Sequence, residues 1–247
     1  MLIEAVLCAN LVAPQKWTKM FDGKSLNGWT AKIRGYDLGN NFANTFRVSS
    51  GVIQVSYDGY GGKFEDRFGH LYYKKPYANY VMRLEYRFIG KQLPDGPGWA
   101  YENSGVMIHC QDPKSILKDQ DFPISSEVQL LGGDVDGPRF TGNLCTPGTN
   151  VVMDGQLVTR HCTDSIIPAV KGDVWVKAEI ECHADGLVIH RINGQQAISY
   201  SQIQYDPNDG QTKALIKGTN LLIAGGYISL QSESHPVEFR NIEIRGL

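Results

Sequence analysis

The strongest constraint on this chain is a period of two. Across Tyr80–Ile89, the residues Tyr80, Met82, Leu84, Tyr86 and Phe88 alternate with Val81, Arg83, Glu85 and Arg87. That is the spacing of a strand with one buried face. Phe46–Tyr57, with a turn at Ser50-Gly51, reads the same way, as do Trp175–Cys182, Leu187–Ile192, Gln195–Tyr200, Gly226–Gln231 and Val237–Arg245. Asp185-Gly186 and Asn193-Gly194 are hairpin dipeptides, because tight hairpin turns need positive φ at their central residues. No helical pattern exceeds about two turns, and no repeat or low-complexity tract interrupts the chain. About twelve strands with almost no helix predict an all-β fold, a sandwich of two antiparallel sheets.

The 247 residues suit one such domain, and 42% hydrophobic residues supply a sizeable core. A net charge of -2 without charge blocks argues against a nucleic-acid partner. No apolar run reaches the roughly 20 residues of a membrane-spanning helix. Residues 1–16 read as an N-terminal tether or the remnant of a signal, with residues 17–247 as the domain. Of the five cysteines, Cys145 and Cys162 bracket a loop-rich stretch and could form a disulfide. The alternative is that all five are reduced. No CxxC pair suggests a zinc site.

The stretch Asn103–Gly133 carries the candidate chemistry. Strand alternation places Val106 and Ile108 on one face of the first run, with Met107, His109 and Gln111 on the other. In the second run Val128 and Leu130 face one way, Glu127 and Gln129 the other. If the apolar faces meet one core, His109, Gln111, Glu127 and Gln129 line a polar row on the opposite face. Trp99 and Tyr101, on a Pro/Gly loop beside it, suit stacking on a sugar ring or cover of the core edge. His161 in a loop could reach over the row, and Glu233 could join it from a neighbouring strand, in alternation with Gln231 and His235. Arg240 reads as a structural ion-pair residue.

Phe21-Asp-Gly-Lys-Ser-Leu-Asn-Gly-Trp29, Asn103-Ser-Gly-Val106, Glu127-Val-Gln129, His190-Arg-Ile-Asn-Gly194 and Gly226-Tyr-Ile-Ser-Leu-Gln231 with Val237-Glu-Phe-Arg-Asn-Ile242 occur in this order. Together they resemble the signatures of the 3-keto-disaccharide hydrolase domain family, formerly domain of unknown function 1080, from about Trp17 to Leu247. The resemblance implies a concanavalin A-like jelly roll, a periplasmic or secreted location, and cleavage of glycosides oxidised to a ketone at C3. It departs at position 109, often Arg in the family and here His, and at Gly132-Gly133, where an acidic residue is expected.

A ketone at C3 acidifies the C2 proton. Its removal gives an enolate that expels the glycosidic oxygen, and water addition to the enone completes a net hydrolysis. The site then needs a base, an acid, and a positive group or metal at the enolate. His109 and Glu127 are the expected catalytic pair. Gln129, Gln111, Asn103, Trp99, Tyr101, His161 and Glu233 are the expected substrate contacts. His109 and Glu127, with His161 in reach, are the expected ligands of a divalent metal ion; no nucleotide cofactor is expected. The competing reading is a non-catalytic, lectin-like carbohydrate-binding module, in which Trp99 and Tyr101 matter more than His109.

Overall fold

The computed structural model describes residues 15–247. Cys8 and most of the expected tether lie outside the described residues. The strands run in chain order as β1 (Thr18–Lys19), β2 (Trp29–Ile33), β3 (Phe46–Ser49), β4 (Val52–Val55), β5 (Gly69–Tyr73), β6 (Tyr80–Phe88), β7 (Asn103–Cys110), β8 (Ser126–Leu131) and β9 (Asn143–Cys145). They continue as β10 (Thr149–Met153), β11 (Gln156–Val158), β12 (Cys162–Thr163), β13 (Val176–Cys182), β14 (Val188–Ile192), β15 (Gln195–Tyr205), β16 (Tyr227–Ser232) and β17 (Val237–Gly246). Only short 3-10 turns interrupt them among the described residues, and no helix there is long and apolar enough to cross a membrane.

Two antiparallel sheets result. One has seven strands in the order β12-β9-β8-β7-β16-β5-β2. The other has ten, with the path β11-β10-β15-β14-β13-β6-β17-β4-β3 and β1 against β17. Of the two expected hairpin dipeptides, Asn193-Gly194 makes a two-residue turn, whereas Asp185-Gly186 lies in the longer 183–187 connection with positive φ only at Gly186. Asn193 and Gly194 take φ 49° and 83°, and Ser50 and Gly51 take 50° and 81°, the positive values of a type I′ turn.

The core lies between the sheets. Val106, Ile108, Val128, Leu130, Leu71 and Leu230 meet Met82, Leu84, Ile180, Phe239 and Ile244 in one buried cluster. Burying each such side chain contributes roughly 1.5–3 kcal/mol. A polar strut crosses this core under β8. His190 shares a hydrogen bond at each ring nitrogen, with the Gly142 carbonyl and the Tyr200 hydroxyl, both at 3.0 Å. Tyr200 continues to Ser126 Oγ at 2.7 Å. Burial lowers the His190 pKa to about 4, so the ring is neutral and the strut fixes the root of the strand that carries Glu127.

The outer face of the ten-stranded sheet is a lattice of ion pairs. Arg240 donates to Glu85 at 2.7 Å and lies 3.9 Å from the Trp175 ring centroid, the structural role expected of it. Such partly exposed pairs contribute little individually.

Candidate active site

The functional geometry develops on the outer face of the seven-stranded sheet. In register, Met107 opposes Glu127, Glu127 opposes Cys145, and Cys145 opposes Cys162; one step along, Gly105 opposes Gln129. Glu127 leans over Gly105, where an added Cβ would collide with its carboxylate Oε1. The missing side chain at Gly105 therefore opens a notch in the sheet face, which explains the glycine in Asn103-Ser-Gly-Val106.

Glu127 settles into this notch, and a cleft of about 360 Å³ opens over it. It is lined by Glu127, Glu233, Asn103, Gln129, Trp99 and His161, with Phe122, Pro147, Cys145 and Cys162 completing its walls. The sequence expectation of Glu127, Gln129, Asn103, Trp99, His161 and Glu233 as neighbours agrees with this arrangement. Cys145 and Cys162 form a disulfide.

Hydrogen bonds orient the amides. Gln129 Oε1 accepts from Asn143 Nδ2 at 3.0 Å, which leaves the Gln129 amide nitrogen free to donate. Asn103 Nδ2 donates to the Trp99 carbonyl at 3.3 Å, while its buried Oδ1 has no partner. Glu233 Oε2 and Gln231 Oε1 are likewise buried without a donor. Unpaired buried acceptors are costly. Trp99 is 54% exposed and stacks on Phe68. Its loop is tied to the turn after β16 by Gln92 Nε2 donating to Ser234 Oγ at 2.9 Å and by the Leu93 amide donating to the Ser234 carbonyl at 3.1 Å. Trp99 and Glu233 are thus fixed relative to each other.

Both carboxylates resist ionisation. Burial alone raises the Glu127 pKa to about 8. Glu233 is raised well above the carboxylate range by burial, and then by the Glu127 charge beside it. No Lys or Arg lines the cleft among the described residues.

Three expected residues lie elsewhere. His109 does not join Glu127. The β7–β16 ladder slips between the Tyr227–Cys110 and Ser229–Met107 pairs, and His109 is the extra residue, with φ 51°. This bulge reverses the alternation. Cys110 lands beside Met107 and Tyr72 on the outer face, while His109 turns into a separate hollow of about 120 Å³ with His183, Gln202 and Ile223. It lies in a different hollow from Glu127, and burial lowers its pKa to about 4, so the ring is neutral near neutral pH. The expected metal pair of His109 and Glu127 is not assembled, and no group of three or more His, Cys, Asp or Glu suited to a metal occurs among the described residues.

Gln111 is structural. Its Oε1 accepts from Gln120 Nε2 at 2.9 Å and from the Ile124 amide at 2.7 Å. These bonds shape the connection that brings Phe122 over the cleft. Tyr101 packs edge-on against His235 at 5.0 Å and lines a different hollow with Asp134 and Lys171. Gly132-Gly133 is a packing requirement: a Cβ on Gly133 would come within 2.7 Å of the Ala169 carbonyl, and one on Gly132 would collide with Glu102. The residues missed from sequence are the cleft walls. Phe122 and Pro147 lie in connections without periodicity and gave no signal.

A family model described as 3-keto-alpha-glucoside-1,2-lyase-like domain matches residues 16–245. No curated protein matches the chain. Among solved structures, a provisionally assigned glycosyl hydrolase from Parabacteroides distasonis ATCC 8503 is 20% identical, with 94% of each chain covered and a TM-score of 0.53. A second such structure from that organism, also 20% identical, covers 94% of this chain and 100% of its own, with a TM-score of 0.52. The exoplasmic/lumenal domain of VIP36, in a form bound to Ca2+ and Man3GlcNAc, is 8% identical, with 94% of this chain and 91% of its own covered and a TM-score of 0.52. At these identities the likeness is one of fold, a lectin-like jelly roll.

Proposed function

Because the chain belongs to the 3-keto-alpha-glucoside-1,2-lyase-like domain family, a carbohydrate-active family, we propose that it cleaves the glycosidic bond of 3-keto-glycosides by elimination at C1–C2. The observation that carries this reading is the pair Glu127 and Glu233, buried together in one cleft with both pKa values raised. Elimination needs one group without its proton and one with it. Glu127, raised by burial alone, is the base. Once it is ionised, its charge holds the proton on Glu233, which is the acid.

The steps balance. Glu127 takes the C2 proton, and the C2–H electrons form the enolate with the C3 carbonyl. The enolate collapses, C1=C2 forms, and the C1–O bond breaks as Glu233 protonates the departing oxygen. Addition of water to the enone would give the net hydrolysis. The free amide of Gln129 donates to a sugar oxygen, Asn103 Oδ1 accepts from a hydroxyl, and Trp99 and Phe122 offer apolar faces to the ring. The disulfide fits an oxidising compartment, periplasmic or secreted.

The oxygen donors of the cleft suit a hard divalent cation. Glu127, Glu233 and Asn103 line it, and Glu233 Oε2 and Asn103 Oδ1 are buried acceptors without partners, the chemistry that Ca2+, Mg2+ or Mn2+ prefers. These three would hold it, and it would supply the positive charge at the enolate oxygen that the cleft's side chains lack.

The test is turnover of a 3-keto-glucoside, followed as enone absorbance and released leaving group, with and without chelator. Glu233→Gln should lower kcat by about 10²–10⁴ for a poor leaving group and by less for an activated aryloxide, which needs no acid. Equal loss for both leaving groups would remove Glu233 from the acid role. Full activity in Glu233→Gln would refute the pair.

A further inference from the structure

Cys145 and Cys162 are more than a fold staple, an inference that rests on the elimination reading above. Both line the cleft. They oppose each other across β9 and β12, and Cys145 opposes Glu127 across β8 and β9. Directly opposed residues on neighbouring strands project from the same face, so the bridge lies in one row with the Glu127 carboxylate.

The strand it secures is weak by itself. β12 is two residues long and lies at the edge of the seven-stranded sheet, whereas the preceding β11 belongs to the ten-stranded sheet. The chain between them, 159–161, crosses from one sheet to the other and carries His161. Before the bridge, the His161 carbonyl accepts from the Thr146 amide at 2.8 Å and from Thr146 Oγ1 at 3.2 Å. Beyond it, Ser165 donates from its amide to Asn143 Oδ1 at 2.8 Å and from Oγ to the Thr141 carbonyl at 2.6 Å. The bridge is the covalent tie between these anchors.

His161 stands at a junction. It lines the cleft and also an adjoining hollow of about 400 Å³ with Asp121, Asp209 and Gln211. Phe122 and Pro147 are shared by both spaces. A glycoside with its C1–O bond between the two carboxylates has its leaving group directed past this residue or away from it.

We propose that the Cys145–Cys162 bridge is a positioning element of the cleft: it holds His161 at the mouth, between the cleft and the adjoining hollow. Opening it releases 159–163 while the sandwich stays folded. A dithiol reductant does this with a balanced exchange: its thiolate attacks one cysteine sulfur, both cysteines end as thiols, and the reductant closes to its own disulfide.

The full chain is compared in oxidised form, after dithiothreitol, and as the Cys145→Ser/Cys162→Ser variant, each also with His161→Ala. Opening the bridge should raise amide exchange at 159–163 by about tenfold or more, with β7, β8 and β16 unchanged. It should lower kcat/KM by about tenfold, mainly through KM, because a misplaced contact weakens substrate positioning. In His161→Ala, opening the bridge should change kcat/KM by less than about twofold. Unchanged exchange at 159–163, exchange that rises in every strand, or an equal loss of kcat/KM with and without His161 would each overturn the proposal. If the oxidised chain turns over no 3-keto-glycoside, the elimination reading fails, while the exchange measurement still decides what the bridge holds.

Discussion

Glu127 and His109 each lie buried in a hollow, and the two hollows differ in what they can do. Glu127 lies in a cleft of about 360 Å³ with a second carboxylate and an exposed tryptophan at its rim. His109 lies in one of about 120 Å³, walled by Val188, Ile203, Leu222 and Ile223 together with His183, Asp185 and Gln202. Burial acts on both, and in both it favours the neutral form. The carboxylate is raised to about 8 and the imidazole lowered to about 4. A perturbed pKa therefore does not identify a catalytic group. The difference is company: Glu127 has Glu233, two oriented amides and room for a sugar ring, whereas the buried Nδ1 of His109 has no partner in a hollow of about a third the volume.

Substitution separates the two most sharply through turnover. Glu127→Gln should lower kcat/KM on a 3-keto-glucoside by about three orders of magnitude, the scale of a lost general base. His109→Asn, a residue that tolerates the left-handed φ of this position, should stay within about threefold. A large loss in His109→Asn with the fold intact would merge the two regions again.

The next largest contrast is in stability at alkaline pH. The folded Glu127 pKa is raised, so the native state holds a proton that the unfolded chain gives up. The stability this contributes is complete below about 4.5 and is lost as pH rises through about 8. Without divalent cations, Glu127→Gln should therefore be more stable than the parent above pH 8, on the order of a few kcal/mol. Urea unfolding at pH 5 and pH 9 measures the difference, and equal shifts at the two pH values would contradict the assigned burial.

His109 should act with the opposite sign and a smaller effect. Its folded pKa is depressed, so the stability it contributes is complete above 6.5 and is lost as pH falls through about 4. The stability curve of His109→Asn should be flatter between pH 6.5 and 4, by roughly 1–3 kcal/mol. Thermal unfolding across that range tests it; an unchanged slope would mean that another group dominates acid unfolding.

The sheet architecture was legible because burial in this sandwich follows the period of two nearly everywhere. Glu127 and Gln129 were legible for the same reason, standing on β8, whose ladders with β7 and β9 run without a slip, while Asn103 was legible through the family signature. His109 was not, because its direction is set by a bulge against β16, whose residues are more than a hundred positions away in the chain. Glu233 lies between these cases. Alternation placed Gln231, Glu233 and His235 together, and it holds for the first two. Ser234 then takes φ 83° and donates its amide to the Tyr57 hydroxyl at 2.8 Å, and His235 turns away to accept from the Glu102 amide at 3.1 Å. Phe122 depends on the Gln111–Gln120 bond inside an irregular connection, which no periodicity could report.

Gly105 has a consequence for how such a site can be lost. The carboxylate of Glu127 occupies the volume that any other residue at 105 would claim for its first carbon. Alanine there would set its methyl group where the Glu127 carboxylate now lies, so the carboxylate would have to move. The position of that carboxylate is therefore set from the neighbouring strand, by the absence of one carbon.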